Sequence, residues 1–526
     1  MTDWGLTKLR GFLFIKDLQI PHFDFNKKLR LLLQAIKGTP INIPINNDYI
    51  LAGTYLPNCR TKNCQTAERK TAKLPNEKIF FFVYQKNIVF LQRVKMRIIM
   101  ERIVGYRNRV SDRLLKEQLE ATGVVLVQGP KWCGKTTTAV HAAGSVLYMD
   151  DPRQIKNNLS MAENDPVALF EGAKPRVIDE WQLAPQLWDA ARFEVSRRGA
   201  VGMLIFTGSA VPPDMSRITH TGTGRFAWLT MRPMTLWESG ESNGRMSLLS
   251  LFAGTAQSAV SNDMTLERIA FLLCRGGWPG SLQLSESAAL RQTRNYVDAV
   301  CQSDITRVDN VERNPELARL IMRSYARLQG AQAPLSTIVA DIEASRGYSA
   351  STDTVASYIT ALRKIFVIED MPAWNPNLRS KTAIRTSDTR YFVDPSIAAA
   401  ALSISPKKLT GDLSTLGLLF ETLAVRDLRV FAEAIDGKVS HYRDRNGLEC
   451  DAVIHLRNGT YGLVEVKIGG ETLIEEGAKN LKRLASKINT DNMGKPAFLM
   501  ILTALGSYAF KRSDDIWIVP IGSLKD

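Results

Sequence analysis

The sequence predicts a multidomain α/β protein led by a parallel sheet with crossover helices, and three observations carry that prediction. Residues 129–136 read G-P-K-W-C-G-K-T, which fills every fixed position of the phosphate-loop pattern G-x-x-x-x-G-K-(S/T). Two more short apolar runs follow at helix-length intervals: residues 176–178, ending in Asp179 and Glu180, and residues 202–206, ending in Thr207-Gly208-Ser209. Short buried strands spaced by helices form parallel sheets, and ligands of such sheets bind at the carboxyl ends of the strands.

The loop has the flanks that its chemistry needs. Val124-Val125-Leu126-Val127 reads as a buried strand before it, and residues 136–143 read as the opening of a helix. Strand, loop and helix N-terminus together aim backbone N–H groups at a polyphosphate. Gly129 and Gly134 allow backbone angles and a close approach that a Cβ would block. The expected cofactors are ATP and Mg²⁺. Gly129, Pro130, Lys131, Trp132, Cys133, Gly134, Lys135, Thr136 and Thr137 form the expected cradle. Lys135 is suited to the β- and γ-phosphates, and Thr136 to offering its hydroxyl to Mg²⁺. Asp179 is suited to holding Mg²⁺ through water, and Glu180 to polarising the attacking water. Ser209, at the end of the next strand, is expected to sense the γ-phosphate.

With 526 residues the chain has room for three or four domains. Its 45% hydrophobic and 23% charged residues are those of a soluble globular protein. Most of the net charge of +15 sits at one end: residues 1–100 hold 17 Lys and Arg against 6 Asp and Glu, which leaves +4 for the remainder. Cys59, Cys64, Cys133, Cys274, Cys301 and Cys450 show no zinc-like spacing. Reduced thiols in a cytoplasmic protein are the expectation. No signal peptide is evident, and the most apolar run, residues 79–91, is interrupted by Gln85-Lys86-Asn87 and too short to span a bilayer, so no membrane partner is expected.

Five segments are expected. Residues 1–95 mix Phe-rich and Lys-rich patches without a sustained period. Two readings stay open there: a basic nucleic-acid-binding arm, or a poorly ordered stretch without an evolved fold that precedes a start near Met96 or Met100. Residues 96–232 hold the nucleotide sheet, and residues 233–312 a helical lid, with Gly276-Gly277-Trp278-Pro279-Gly280 as a tight loop that breaks a helix. Residues 313–395 suggest a winged helix, with helices at 317–328, 335–342 and 352–362, the last capped by Ser351 or Thr352. Its wing strands are expected at 365–368 and 390–394. Arg363, Lys364, Arg379, Lys381 and Arg385 would suit a DNA backbone; a winged helix that packs on protein is the open alternative. Residues 396–526 read as a helix (416–430), a hairpin, a second helix (473–488) and strands at 497–502 and 516–521.

The hairpin carries a register constraint. A two-residue Asn458-Gly459 turn would pair Asp451 with Val466 and turn it to the wrong face. A three-residue turn, Arg457-Asn458-Gly459 with Gly459 left-handed, pairs Asp451 with Glu465. That register also gathers Ala452, Ile454, Leu456, Val464 and Val466 on one apolar face, which favours it. Glu465 and Lys467, two apart, share a face.

These motifs carry a resemblance. The loop at 129–136, Val177-Ile178-Asp179-Glu180-Trp181-Gln182, Phe206-Thr207-Gly208-Ser209-Ala210, Gly224-Arg225-Phe226, Met231-Arg232-Pro233-Met234 and Gly276-Gly277-Trp278-Pro279 resemble those of a prokaryotic family of AAA-type ATPases (P-loop NTPases). That family has a C-terminal region of uncharacterised function and is similar to archaeal ATPases of the same superfamily. Asp451, Glu465 and Lys467, with Glu421 upstream, match the pattern of the PD-(D/E)XK nuclease superfamily, a restriction-endonuclease-like α/β fold, although Cys450 stands where the motif has proline. The resemblance implies ATP binding and hydrolysis. It also implies a second site in which Glu421, Asp451 and Glu465 hold Mg²⁺ and Lys467, with Glu465, serves the attacking water. Arg225 and Arg232 fall where such ATPases have arginines that approach a γ-phosphate, in cis or as an arginine finger within a homo-oligomer.

The expected function is Mg-ATP hydrolysis coupled to a DNA-directed, nucleolytic C-terminal domain. The alternatives are a regulatory ATPase or scaffold whose nuclease-like domain binds DNA or a protein without cutting, and a DNA-binding regulator without turnover.

Overall fold

A computed structural model describes residues 106–208, 220–309, 311–345, 348–375 and 387–526. Ser209, the expected arm at 1–95 and the basic residues Arg379, Lys381 and Arg385 lie outside the described residues.

Helix α1 (Val110–Ala121) opens with a capping box in which Arg109 N donates to Asp112 Oδ2 at 2.8 Å, and it buries Val110, Leu115 and Leu119. The nucleotide sheet then forms from β1 (Val124–Gln128), β2 (Ser145–Tyr148), β3 (Arg176–Asp179), β4 (Leu204–Thr207) and β5 (Phe226–Thr230), in the order β2-β3-β4-β1-β5. Every pairing is parallel. Between the strands run α2 (Lys135–Ala142), α3 (Ile155–Asn164) and α4 (Leu187–Arg198). The apolar run of β1 divides by the two-residue period of a strand. Val125 and Val127 join Leu115, Cys133 and Ala139 in one core, while Val124 and Leu126 join Leu187, Ala191 and Phe206 in the other. Burial on both faces is why these strands read as continuous apolar runs. Because β1 is flanked by β4 and β5, the loop that follows it sits over an inner strand of the sheet. The parallel arrangement of β1, β3 and β4 is as expected; β2 and β5 escaped the sequence reading.

The helices of the remaining segments share one core. Helices α5 (Leu236–Ser239), α6 (Leu266–Arg275), α7 (Glu286–Ala299), α8 (Pro315–Arg327), α9 (Leu335–Glu343), α10 (Thr352–Lys364), α11 (Pro395–Ala401) and α12 (Leu413–Glu433) contribute Leu236, Leu272, Val297, Tyr325, Leu362, Ile397 and Leu423 to a single buried cluster. The expected lid, middle and C-terminal segments therefore pack as one body, each supplying part of the same buried cluster. Two strands of the expected lid extend C-terminal pairings. Strand β6 (Met246–Ser247) pairs with β14 (Leu524–Lys525), and β7 (Ala259–Val260) pairs with β12 (Tyr508–Lys511).

In the middle segment the three helices form where expected, and Ser351 caps α10 by accepting from Thr354 N. The wing strands are reduced to isolated bridges, Ile368 to Phe392 and Met371 to Thr389. Arg363 is engaged by Asp370, and Lys364 lies 3.8 Å from Asp309, so the two described members of the expected basic face are ion-paired within the chain.

The C-terminal sheet adds β8 (Gly437–Arg443), β9 (Glu449–Leu456), β10 (Tyr461–Lys467), β11 (Leu499–Thr503) and β13 (Ile516–Pro520), in the order β7-β12-β13-β11-β10-β9-β8. Helix α12 packs one face, with Ala452, Ile454, Val464 and Val466 beneath it. Helix α13 (Glu471–Lys487) packs the other, over Val453, Leu463 and Ile501. The hairpin takes the three-residue turn: Leu456 N bonds to Thr460 O at 2.8 Å, Gly459 has φ +89°, and Ala452 pairs with Val464. One step further along this register sets Asp451 opposite Glu465.

Candidate functional site

The first site is built by the turn between β1 and α2. Gly129 (φ +144°), Trp132 (φ +66°) and Gly134 (φ +105°) all have positive φ, and a Cβ on Gly129 would overlap the Met231 carbonyl. Lys135 is buried and folds back to donate to the carbonyls of Gly129 (3.0 Å) and Pro130 (2.8 Å). Thr136 Oγ1 lies 2.9 Å from Asp179 Oδ1, which also accepts from Thr207. Burial raises the Asp179 carboxyl above its usual range, and burial followed by the neighbouring Asp179 charge does the same for Glu180. The buried Asp179, the half-buried Glu180 beside it and the Thr136 hydroxyl in the first turn of α2 make a donor set fit for Mg²⁺, which keeps several of its own waters. Thr137 and Trp132 are exposed, Cys133 is buried, and Lys131 pairs with Asp304 at 2.6 Å.

Arg109 supports this loop and was missed from sequence. Its Nη1 donates to Cys133 O and its Nη2 to Arg232 O, both at 2.8 Å, while Nε sits 3.0 Å from Glu238. Nothing in the run Arg107-Asn108-Arg109 marks it, because its role depends on two carbonyls that are remote in sequence. Thr207 was overlooked in favour of Ser209.

Neither candidate arginine reaches the phosphate loop of its own chain. Arg232 is buried and spent on a double fork, with Glu369 at 2.6 Å and Glu433 at 2.9 Å. It ties the strap after β5 to the C-terminal half and does not face the phosphate loop. Arg225 precedes β5, and its carbonyl accepts from Val124 N at the start of β1. It therefore lies at the amino end of the sheet, opposite the loop, and its Nε bonds to Ser196. The Met231–Met234 strap and the Gly276–Gly280 loop are a joint: Met234 N bonds to Gly277 O at 2.6 Å, and Gly277 N to Asp394 Oδ2 at 3.0 Å. Beneath that joint Arg426 pairs with Asp394 at 2.7 Å.

The second site lies at the carboxyl end of β10. Lys467 Nζ sits 2.8 Å from Glu465 Oε2 and 3.6 Å from Asp451 Oδ2, and Asp451 also accepts from Val466 N at 2.7 Å. The predicted trio of Asp451, Glu465 and Lys467 is thus brought together. Glu421 is turned to accept from the Tyr391 hydroxyl, and a Cβ on Gly330 would lie 2.9 Å from its carboxylate. Burial, then the Asp451 charge, drives both Glu421 and Glu465 well above the usual carboxylate range. Burial opposes the charge on Lys467, but Asp451 and Glu465 outweigh it and hold the ammonium above its usual range. Glu465 Oε1 is buried without a protein donor, an acceptor that a cation would satisfy. Among the described residues, however, no three acidic, histidine or cysteine groups converge closely enough to hold a metal. The expected four-residue set is accordingly a lysine-bridged pair with Glu421 to one side.

No described helix is long and apolar enough to cross a membrane. A family described as an AAA domain matches residues 121–239. Two families described as domains of unknown function (DUF8612 and DUF4143) match residues 266–408 and 416–524. No curated protein matches the sequence. Among solved structures, the chain is similar to the Walker-type ATPase PABY2304 of Pyrococcus abyssi, with 14% identity, a TM-score of 0.34 and coverage of 55% of this chain and 94% of that one. It is also similar to the Aeropyrum pernix ORC1 protein in complex with DNA, with 13% identity, a TM-score of 0.21 and coverage of 57% and 93%. The parallel sheet, the glycine loop after its inner strand β1 and the match at residues 121–239 lead to one conclusion: the chain carries an AAA-type ATPase domain.

Proposed function

We propose that this protein hydrolyses Mg-ATP and uses the cycle to act on its C-terminal half, which is directed at DNA. The observation that carries the ATPase reading is the meeting of Thr136, in the first turn of α2, with Asp179 and Thr207 at the carboxyl ends of the neighbouring strands β3 and β4, beside the loop that Lys135 closes. Magnesium, when bound, would neutralise charge on the phosphates. Thr136 and Asp179 would hold it, Lys135 would leave its loop carbonyls for the β- and γ-phosphates, and Glu180 would take the proton of the attacking water. Calorimetry with ATP and ADP tests this directly. Failure of both nucleotides to bind the purified chain would end the reading.

For the C-terminal site we propose phosphodiester cleavage, with Asp451 and Glu465 as the groups that would hold Mg²⁺ and Lys467 orienting the water. Support comes from the hairpin register and from the unpartnered Glu465 oxygen. A second reading, in which the domain binds without cutting, is favoured by the engagement of Lys467 between two carboxylates and of Glu421 by Tyr391. Plasmid cleavage in Mg²⁺ that disappears in Asp451→Ala and persists in Lys135→Ala supports the first. Full-length plasmid after prolonged incubation with every variant supports the second.

A further inference from the structure

The turn after the Asp179-Glu180 pair carries an amide whose polar ends are both accounted for by hydrolysis. Glu180 adopts φ +56°, and Trp181–Leu183 form a single 3-10 turn behind it. Trp181 is buried and stacks on Phe206, with ring centroids 5.5 Å apart, so the turn is pinned to the core. Gln182 Nε2 donates to Glu180 Oε2. An ionised carboxylate only accepts, so the amide nitrogen must face it and the amide oxygen must face away. That oxygen, Gln182 Oε1, is buried with no protein donor. It lies against Gly208, just past β4, where any Cβ would overlap it.

We infer that Gln182 positions the water for ATP hydrolysis: Oε1 accepts one hydrogen bond from the attacking water while Nε2 holds the Glu180 carboxylate turned toward that water's other proton. The inference rests on the hydrolysis reading above and adds a residue to it. In the step, the water oxygen bonds to the γ-phosphorus, and the bond to the β–γ bridging oxygen breaks with its electron pair leaving on ADP. The water's proton passes to Glu180. A buried carbonyl oxygen without a donor is costly, and a water with two protons to give, held between Glu180 and the end of β4, supplies one. Glycine at 208 leaves the amide oxygen itself its place, which a Cβ would take.

The test uses the full chain with Gln182→Met, which keeps the volume and removes both polar ends. Gly208→Ala is the second variant, intruding on the same oxygen from another strand. Steady-state ATPase kinetics, Mg-ADP affinity and the thermal midpoint are measured for each. Both variants are expected to lower kcat by about 100-fold while Mg-ADP affinity stays within about threefold. A kcat within about threefold of wild type in both variants overturns the inference. So does a parallel loss of ADP affinity and thermal midpoint, the mark of a merely structural residue. Wild type that binds ATP without turning it over removes the hydrolysis reading and this one with it, whereas wild-type turnover with unaffected variants removes this one alone.

Discussion

Each site sets a lysine beside an aspartate and a glutamate, and the two lysines are held in opposite ways. Lys135 rests on two neutral carbonyls of its own loop, at 3.0 and 2.8 Å. Lys467 is gripped by carboxylates, at 2.8 Å from Glu465 and 3.6 Å from Asp451. Both lysines make charge-assisted bonds through their ammonium groups, but the carbonyls carry no net charge and are readily exchanged for a phosphate, whereas the carboxylates add the attraction of opposite charges in a partly buried site. The first lysine is therefore poised for an incoming anion. The second serves first as counter-ion to its own neighbours, and any ligand must compete with them.

The contrast can be broken in several places. Lys135→Ala is expected to lower ATP affinity by about 1000-fold, equal to about 4 kcal/mol, while the thermal midpoint barely moves, because the partners left behind are neutral; calorimetry and melting curves read the two. Arg232→Ala should cost about 3 kcal/mol in stability, since Glu369 and Glu433 lose their shared cation. Urea unfolding measures that cost, and ATP affinity should hold within threefold because Arg232 faces the joint. An arginine acting on the γ-phosphate would instead lose a thousandfold or more in kcat. Lys467→Ala is expected to behave oppositely to Lys135→Ala, losing about 2 kcal/mol of stability by leaving Asp451 and Glu465 unpaired, with ATP binding intact.

A smaller effect concerns pH. Glu465 is raised above its ordinary 4.5, by burial and then by Asp451. A carboxyl with a folded value above its unfolded one favours folding while protonated. Its contribution is complete below about 4.5 and fades as pH climbs through the raised value. Melting curves in EDTA should therefore fall as pH increases from 5 to 9, and Glu465→Gln should flatten that slope. An unchanged slope would mean that the carboxylate is not the titrating group. The smallest effect is Arg225→Ala, expected to shift stability by less than about 0.5 kcal/mol and to leave ATP affinity unaltered, since its position is at the far end of the sheet from the loop. A large loss of turnover that appears only at high protein concentration would restore its role in a neighbouring subunit.

The nucleotide site was legible because its chemistry is local. Eight of its expected groups fall in residues 129–136, and a glycine-bounded turn between an apolar strand and a helix has few other ways to fold. The hairpin was legible for a different reason: a strand's two-residue period lets only one turn length bury Ala452, Ile454 and Val464 together while keeping Asp451 beside Glu465. Reading failed where a residue's partner is far along the chain. Arg109 meets Cys133 and Arg232, Arg232 meets Glu369 and Glu433, and Tyr391 meets Glu421. Gln182 was quoted in a motif but given no task, because its function depends on Gly208 from the neighbouring strand.

Sequence alone determined that a lysine-tipped phosphate loop exists, that β1, β3 and β4 belong to its sheet and how one hairpin registers, since backbone sterics and burial period act between residues that are neighbours. Tertiary structure alone decided that the expected lid, middle and C-terminal segments share a core, that Arg232 braces the joint, and that Lys467 is already engaged. Those outcomes depend on which charges are brought together out of water, and a buried ion pair is specified by packing in space, with no sequence spacing to announce it.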